Sequence, residues 1–188
     1  MNKFLIVIIL ISTIFSQSFK DLTERPTYNP IKIEKPIIFD GAVDNQEWSK
    51  AQIATNFNGS GTFQGQPSDL RTEARLFYDE KNIYVGFIAY VDKEDLRYSI
   101  TKRDNLDEKD DRVWINIDAF DDEALTYGIG VSAGGVQIDG RATYGFDKSL
   151  DLIYESKVSV YDDRYEAELI IPFSSLRYSL SPKQTWRI

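Results

Sequence analysis

Short strand-like segments joined by tight turns constrain the fold of this chain more than any other feature. In these segments polar residues alternate with apolar ones, and β-branched and aromatic residues are frequent, as in strands that are half-buried in a sheet. Gly134-Gly135 and Asp162-Asp163-Arg164 separate neighbouring segments and predict two hairpins. The predicted strands cover residues 72–78, 83–91, 112–119, 125–133, 136–143, 152–161 and 165–171.

The order of these segments predicts the fold class. No helical segments alternate with the strands, so a parallel sheet with crossover helices is not expected. Segment 83–91 is apolar on both faces, which predicts a central strand that is covered on both sides. We therefore predict an all-β antiparallel sandwich of the jelly-roll type with one short helix near its N-terminus.

That helix is predicted just before the main strands. Asp44 and Glu47 have the spacing of a capping box, and Val43 and Trp48 have the spacing of a hydrophobic staple. A helix of about two turns, ending near Ala51, would place Trp48 on the core. Trp48 is therefore predicted to anchor the core, and a ligand platform is the alternative.

Residues 1–18 have the pattern of a secretory signal peptide. Lys3 is followed by an almost wholly apolar stretch over residues 4–15, and Ser16-Gln17-Ser18 predicts cleavage after Ser18, with Ser16 as the alternative. This stretch is shorter than the roughly 20 residues that span a bilayer. We predict export, a linker over residues 19–29 and one domain over residues 30–188. Its first extended segment, 31–39, contains Pro36 and is expected at a sheet edge.

The composition excludes several classes of function. The chain has neither Cys nor His, which rules out Ser-His-Asp and Cys-His catalysis, zinc sites that use His, and a lipid anchor on cysteine. Its net charge of −8 argues against nucleic acid as a partner. A hard cation bound by oxygen atoms is compatible with this composition, and Ca²⁺ is the first candidate for an exported protein.

Acidic residues gather in a loop that follows the 112–119 strand. Asp118, Asp121 and Asp122 could hold a structural Ca²⁺, although the loop lacks the EF-hand spacing, and a solvated acidic loop is the alternative. Glycoside hydrolysis needs two facing carboxyl groups, one of them in an apolar pocket. The carboxylates here lie in charged loops, so catalysis is not expected.

A saccharide site is predicted on one face of the same strand. Trp114 could stack on a pyranose ring, while Asn116, Asp118 and Arg103 could bind its hydroxyl groups. Tyr154 would supply a second ring from a neighbouring strand. Two readings remain open, because Trp114 could instead fill a second layer of the sandwich and Arg103 could pair with nearby carboxylates.

Tyr144 and Tyr127 are alternative sources of the second aromatic ring. Both lie in or next to predicted strands, so either could reach the face that carries Trp114.

Taken in order, a set of short motifs resembles carbohydrate-binding module family 9 and its DOMON-like relatives. They are Ile38-Phe39-Asp40-Gly41-Ala42-Val43-Asp44, Glu47-Trp48, Ala51, Thr72, Tyr78-Asp79, Ile83-Tyr84-Val85-Gly86, Arg103-Asp104, Asp110-Asp111, Ile117-Asp118, Gly135-Val136-Gln137-Ile138-Asp139 and Ala167-Glu168-Leu169-Ile170-Ile171-Pro172-Phe173. The resemblance implies a DOMON-like β-sandwich that binds oligo- or polysaccharides, often with structural calcium, as a non-catalytic part of a larger protein.

Ser175-Leu176-Arg177 and Trp186 resemble a bacterial branch of this family. In that branch the module lies between a signal peptide and a large C-terminal outer-membrane β-barrel, which implies a location in the periplasm, outer membrane or cell surface. Residues 185–188 look like the opening of a strand, so we expect the chain to be a fragment that lacks the rest of its last strand. A structural or plug-like module without a sugar ligand, and the attachment module of a glycoside hydrolase, are the alternatives.

The chain departs from the family at one position that matters for binding. Family 9 modules of xylanases clamp a sugar chain end between two Trp rings, and the bacterial branch commonly has a Trp-Asp-x-x-Trp-like segment. Leu150-Asp151-Leu152-Ile153-Tyr154 stands there in this chain. A clamp of two Trp rings is therefore not expected.

Overall fold

The computed structural model describes residues 26–43, 46–58, 65–143 and 145–188, which form two packed β-sheets. In the described residues no helix is long and apolar enough to cross a bilayer. The strands, in chain order, are β1 (Ile31–Lys32), β2 (Thr72–Tyr78), β3 (Asn82–Tyr90), β4 (Arg112–Ile117), β5 (Thr126–Ser132), β6 (Gln137–Ala142), β7 (Phe146–Asp147), β8 (Glu155–Val160) and β9 (Arg164–Pro172).

Sheet I has the strand order β1-β2-β3-β9-β8 and sheet II the order β4-β5-β6-β7. All neighbouring strands are antiparallel except β1 and β2. Both predicted hairpins are present, since β5 pairs with β6 and β8 pairs with β9. Gly135 has a φ of +81° in the first hairpin, a conformation that glycine adopts without strain. The antiparallel sandwich is confirmed.

The main core lies between the two sheets. Residues that alternate along the strands point inward from both sides, for example Val85 and Leu169 from sheet I and Ile115 and Ile129 from sheet II. These side chains are almost completely buried. Burial of this apolar area, at about 25 cal/mol per Å², is the main force that holds the sheets together in the absence of disulfides.

A second core covers the outer face of sheet I. Trp48 is fully buried there and stacks on Phe77, with ring centroids 5.1 Å apart. Gly86 makes room for this packing, because a Cβ atom at that position would lie 2.8 Å from Val43 Cγ1. β3 is thus covered on both faces, as its sequence predicts. Trp48 is an anchor of this second core.

The helical segment at Trp48 is shorter than the predicted two turns. It is a single 3-10 turn over Trp48–Lys50, and Ala51 already has an extended backbone. The Glu47 carboxylate accepts a hydrogen bond from the Ile38 N–H (2.8 Å). Asp44, the other predicted member of the capping box, lies outside the described residues.

Two buried carboxylates on β9 fix the segment that covers sheet I. Glu168 accepts hydrogen bonds from the N–H groups of Asp40 (2.9 Å) and Gly41 (2.7 Å) and from Trp48 Nε1 (2.9 Å). Glu166 accepts one from the Val43 N–H (2.6 Å). This segment belongs to no strand, and buried backbone donors need acceptors. The two glutamates therefore supply what a strand ladder would otherwise provide.

The buried position of Glu168 predicts a pH-dependent contribution to stability. Burial raises the pKa of the Glu168 carboxyl above its ordinary value of 4.5, although the three hydrogen bonds lower it in part. The folded protein therefore binds more protons than the unfolded chain between the two pKa values, and stability from this group is lost as pH rises through the raised pKa. Wild type is expected to have a higher free energy of unfolding than Glu168→Gln by a margin that is larger at pH 4.5 than at pH 7.

Urea unfolding of both proteins at the two pH values measures this difference. All other titrating groups are shared, so their effects cancel in the comparison. A difference that grows from pH 4.5 to pH 7 would show that the pKa of Glu168 is lowered instead.

The edges of the sheets differ most from the sequence-based expectation. The predicted segment 31–39 contributes only the two residues of β1, which does lie at a sheet edge. β7 was not predicted. The last residues pair with the end of β4, where the N–H and C=O of Asp118 bond to those of Arg187 at 2.9 and 3.0 Å.

Candidate functional site

Trp114 lies flat on the outer face of sheet II. Its neighbours Val113 and Ile115 point into the core, so alternation directs Trp114 outward. Gly130 and Gly128 of β5 lie opposite Trp114 and Asn116. A Cβ atom on Gly128 would be 2.1 Å from Trp114 Cζ2, and one on Gly130 would be 2.7 Å from Trp114 Cε3. The indole ring therefore rests directly on the backbone of β5.

Phe146 of β7 completes an aromatic surface with Trp114. Gly140 of β6 makes room for it, because a Cβ atom there would lie 2.7 Å from Phe146 Cζ. The two ring centroids are 5.5 Å apart and the ring planes are inclined by 53°. Phe146 is 46% exposed although it is a large apolar residue. We call Trp114 and Phe146 the aromatic platform.

Asn116 supplies the polar group nearest to the indole nitrogen of the platform. Trp114 Nε1 donates a hydrogen bond to Asn116 Oδ1 (2.6 Å), which fixes the orientation of both side chains. Asn116 is exposed, and its amide nitrogen can still donate to a ligand. The structure thus brings together two of the predicted site residues, Trp114 and Asn116, and adds Phe146.

Asp118, predicted on the same face, has a local structural contact instead. It is buried just beyond the end of β4, and its carboxylate accepts hydrogen bonds from the N–H groups of Phe120 (3.1 Å) and Glu123 (2.8 Å). These bonds stabilise the turn that follows β4.

Arg103 and Tyr154 lie in a second cluster, on the other face of β6. Arg103 pairs with the buried Asp139 and donates to the Leu152 carbonyl (2.6 Å). Its guanidinium carbon is 5.1 Å from the centroid of the Tyr154 ring. Burial raises the pKa of Asp139, and the Arg103 guanidinium lowers it in part. Asp139 was not predicted as a site residue, although its Gln-Ile-Asp motif is part of the resemblance.

Tyr154 links this second cluster to the floor of the platform. Its hydroxyl accepts a hydrogen bond from the Ile138 N–H (3.0 Å) and donates one to the Gly130 carbonyl (2.8 Å). Burial strongly raises the pKa of this hydroxyl, so it stays protonated. Tyr154 therefore bridges β5 and β6 from inside the core, directly behind the glycine on which Trp114 rests.

Tyr127, one of the two alternative sources of the second ring, is not part of the platform. Tyr127 is buried in the main core, and its hydroxyl accepts a hydrogen bond from the Arg177 N–H (3.1 Å). Tyr144 lies outside the described residues.

The residues predicted to bind Ca²⁺ already have partners in the structure. Arg187 pairs with Asp121 (2.9 Å) and with Glu123, and Asp122 accepts a hydrogen bond from the Ala124 N–H (2.9 Å). Both oxygens of Asp118 accept backbone N–H groups. A cation at these three aspartates would therefore compete with a guanidinium and with backbone donors for Asp118 and for one oxygen each of Asp121 and Asp122.

A different group of three carboxylates has ligand atoms within 4.8 Å of one another: Asp104, Asp139 and Asp151. Arg103 lies among them and forms an ion pair with each. Calcium binding stays a prediction for this chain. Melting with and without excess chelator tests it, since loss of a bound ion lowers the melting temperature and an unchanged temperature would exclude a structural ion.

The fold and the platform define a class of protein: a two-sheet β-sandwich with an aromatic surface on the outer face of one sheet. The family model described as "Carbohydrate family 9 binding domain-like" matches residues 38–186. The chain belongs to this family. A comparison with curated proteins finds no match.

Solved structures share the fold at low sequence identity. A family 9 carbohydrate-binding module from Caldicellulosiruptor kristjanssonii in complex with cellotriose has a TM-score of 0.55 and 19% identity, over 78% of this chain and 67% of that one. The complex with glucose gives 0.56 and 20%, over 79% and 70%. A protein from Bacteroides uniformis described as a candidate carbohydrate-binding protein gives 0.59 and 11%, over 78% and 72%.

Proposed function

We propose that this domain is a non-catalytic carbohydrate-binding module and that its ligand stacks on the aromatic platform. The observation that carries the proposal is the pair of half-buried and exposed rings resting on Gly128, Gly130 and Gly140. A solvent-facing surface of this kind has no role in the core, and three outward-facing glycines leave it flat. The complexes of related family 9 modules with cellotriose and glucose support a saccharide as the ligand.

The chemistry of the platform suits a neutral sugar. The C–H groups of a pyranose form an apolar face that packs on an aromatic ring, while its hydroxyl groups need donors and acceptors at the rim. Asn116 can supply both kinds of group. The chain carries a net charge of −8, which disfavours acidic saccharides through long-range repulsion.

Replacing Trp114 with alanine is expected to weaken saccharide binding. Removing the central aromatic group of a binding surface typically costs about 2 kcal/mol or more, which is roughly a thirtyfold or greater rise in Kd. Isothermal titration with cellotriose and glucose, and then with xylo- and manno-oligosaccharides, measures the effect.

Phe57→Ala is the matched control for the platform rings. Phe57 is 43% exposed, close to the 46% of Phe146, but it lies in a loop outside sheet II, where its carbonyl accepts a hydrogen bond from the Ser68 N–H (3.0 Å). Its replacement is expected to leave the Kd unchanged. Absence of binding by the folded wild-type protein to every sugar in the panel would refute the proposed function, and equal affinity of wild type and Trp114→Ala would refute the proposed site.

We also propose that the module is exported and belongs to a larger protein of the bacterial envelope. The signal-peptide pattern of residues 1–18 and the resemblance of the C-terminal motifs to the outer-membrane branch support this. Expression with the native N-terminus in a bacterium with two membranes, followed by fractionation and N-terminal sequencing, tests export. Retention of residues 1–18 in a cytoplasmic product would contradict it. The sequence of the gene beyond codon 188 tests whether an outer-membrane β-barrel follows the module.

A further inference from the structure

We infer that the aromatic platform binds the interior of a saccharide chain and does not require a free chain end. This inference rests on the proposed function, because it concerns the ligand of the same site. It follows from the contact between the two rings and from the backbone behind them.

The spacing of the rings excludes a clamp formed by Trp114 and Phe146. Their centroids are 5.5 Å apart, which is the distance of two aromatic rings in direct contact. No pyranose can enter between them. The sugar must therefore lie on the rings, and it leaves its opposite face free.

The backbone closes the other face of each ring. Gly128 and Gly130 lie against Trp114, and Gly140 lies against Phe146, at distances that would not admit even a methyl group. Each ring can stack on a sugar only from the solvent side. A saccharide held in this way can continue in both directions along the surface.

Two polar side chains of β4 lie beside the platform, Arg112 and Asn116. They are on opposite sides of Trp114 along the strand. The charged pair Arg103 and Asp139 lies on the other face of β6. Recognition of a terminal anomeric hydroxyl would need convergent polar groups on the side of the sugar.

Titration with cellotriose and with methyl β-cellotrioside tests the inference. The two ligands have the same number of intact rings, but the second has no free reducing end. We expect their Kd values to agree within about twofold. We also expect affinity to rise from glucose to cellotriose, and Trp114→Ala to weaken both trisaccharides by the same factor.

The failure of this inference is distinguishable from that of the proposed function. Binding of cellotriose without binding of the methyl glycoside would overturn the interior-chain inference and leave the carbohydrate-binding function intact. Absence of binding to either ligand would overturn both. Equal binding of both, lost together in Trp114→Ala, would support both.

Discussion

Replacing Trp48 with alanine is expected to lower the free energy of unfolding by about 3–5 kcal/mol, as for other large aromatic side chains in cores. Trp48 is completely buried, stacks on Phe77 and lies directly over Gly86. Its loss also removes the N–H that Glu168 accepts at 2.9 Å. Since domains are stable by only about 5–15 kcal/mol, this change removes a large part of the total.

Urea unfolding monitored by far-UV circular dichroism measures the effect of Trp48→Ala, and two further variants separate its causes. Trp48→Phe keeps a ring in the cavity but leaves Glu168 without one donor, so we expect an intermediate loss of about 1–3 kcal/mol. Trp186→Ala removes a half-buried Trp from the edge of the main core and should cost less than Trp48→Ala. A loss below that of Trp186→Ala would show that the outer face of sheet I does not depend on Trp48.

The strands of this domain are predictable from the sequence because each carries its own signal. Alternation and buried apolar runs locate β2 and β3 within one residue, and turn residues locate both hairpins. Trp48 is likewise predictable as an anchor, because Val43 and Trp48 have the spacing of a hydrophobic staple at the start of a short helix. These are local patterns of side-chain period and turn chemistry.

The buried carboxylates Glu166 and Glu168 could not be predicted in the same way. Along β9 they occupy positions that alternation assigns to a polar, solvent-facing side. They are buried because a segment more than 120 residues away in sequence folds over sheet I and offers its N–H groups. A single strand contains no information about such a partner.

The candidate site was only partly predictable for a related reason. The outward position of Trp114 and Asn116 follows from the period of β4. The position of Phe146 does not follow from any such period, because β7 has only two residues and its place depends on pairing with β6. The Gly-x-Gly pattern of Gly128 and Gly130 in a strand was the available signal, since outward glycines often mark close approach by another group.

Arg103 and Tyr154 were grouped with Trp114 by residue type, since a sugar site needs rings and hydrogen-bonding groups. The structure separates them because β6 lies between the two clusters, and its successive side chains point to opposite faces. Asp139 points to the face of Arg103, whereas Gly140 points to the face of Phe146. The partners on each face come from other segments through the pairing of β6 with β5 and β7, and a local pattern in β6 does not show them.

Replacing Gly128 with alanine is expected to weaken cellotriose binding as much as Trp114→Ala does, although every ring of the platform is retained. The added methyl group would lie 2.1 Å from Trp114 Cζ2 and 2.7 Å from Cε2, so the indole must leave its position on β5. The change tests the position of the ring and not its presence. The accompanying strain is expected to cost about 1–3 kcal/mol of stability.

Isothermal titration of Gly128→Ala, with circular dichroism to confirm that the variant is folded, measures this loss. Gly145→Ala is the matched control, because no atom lies within 4 Å of the Cβ position at that glycine next to Phe146, and its Kd should equal that of wild type. In the double variant Gly128→Ala with Trp114→Ala the clash is absent, so its loss of stability should be smaller than the sum of the two single losses. A folded Gly128→Ala protein with wild-type affinity would show that the flat position of Trp114 on the glycine floor is not what binds the sugar.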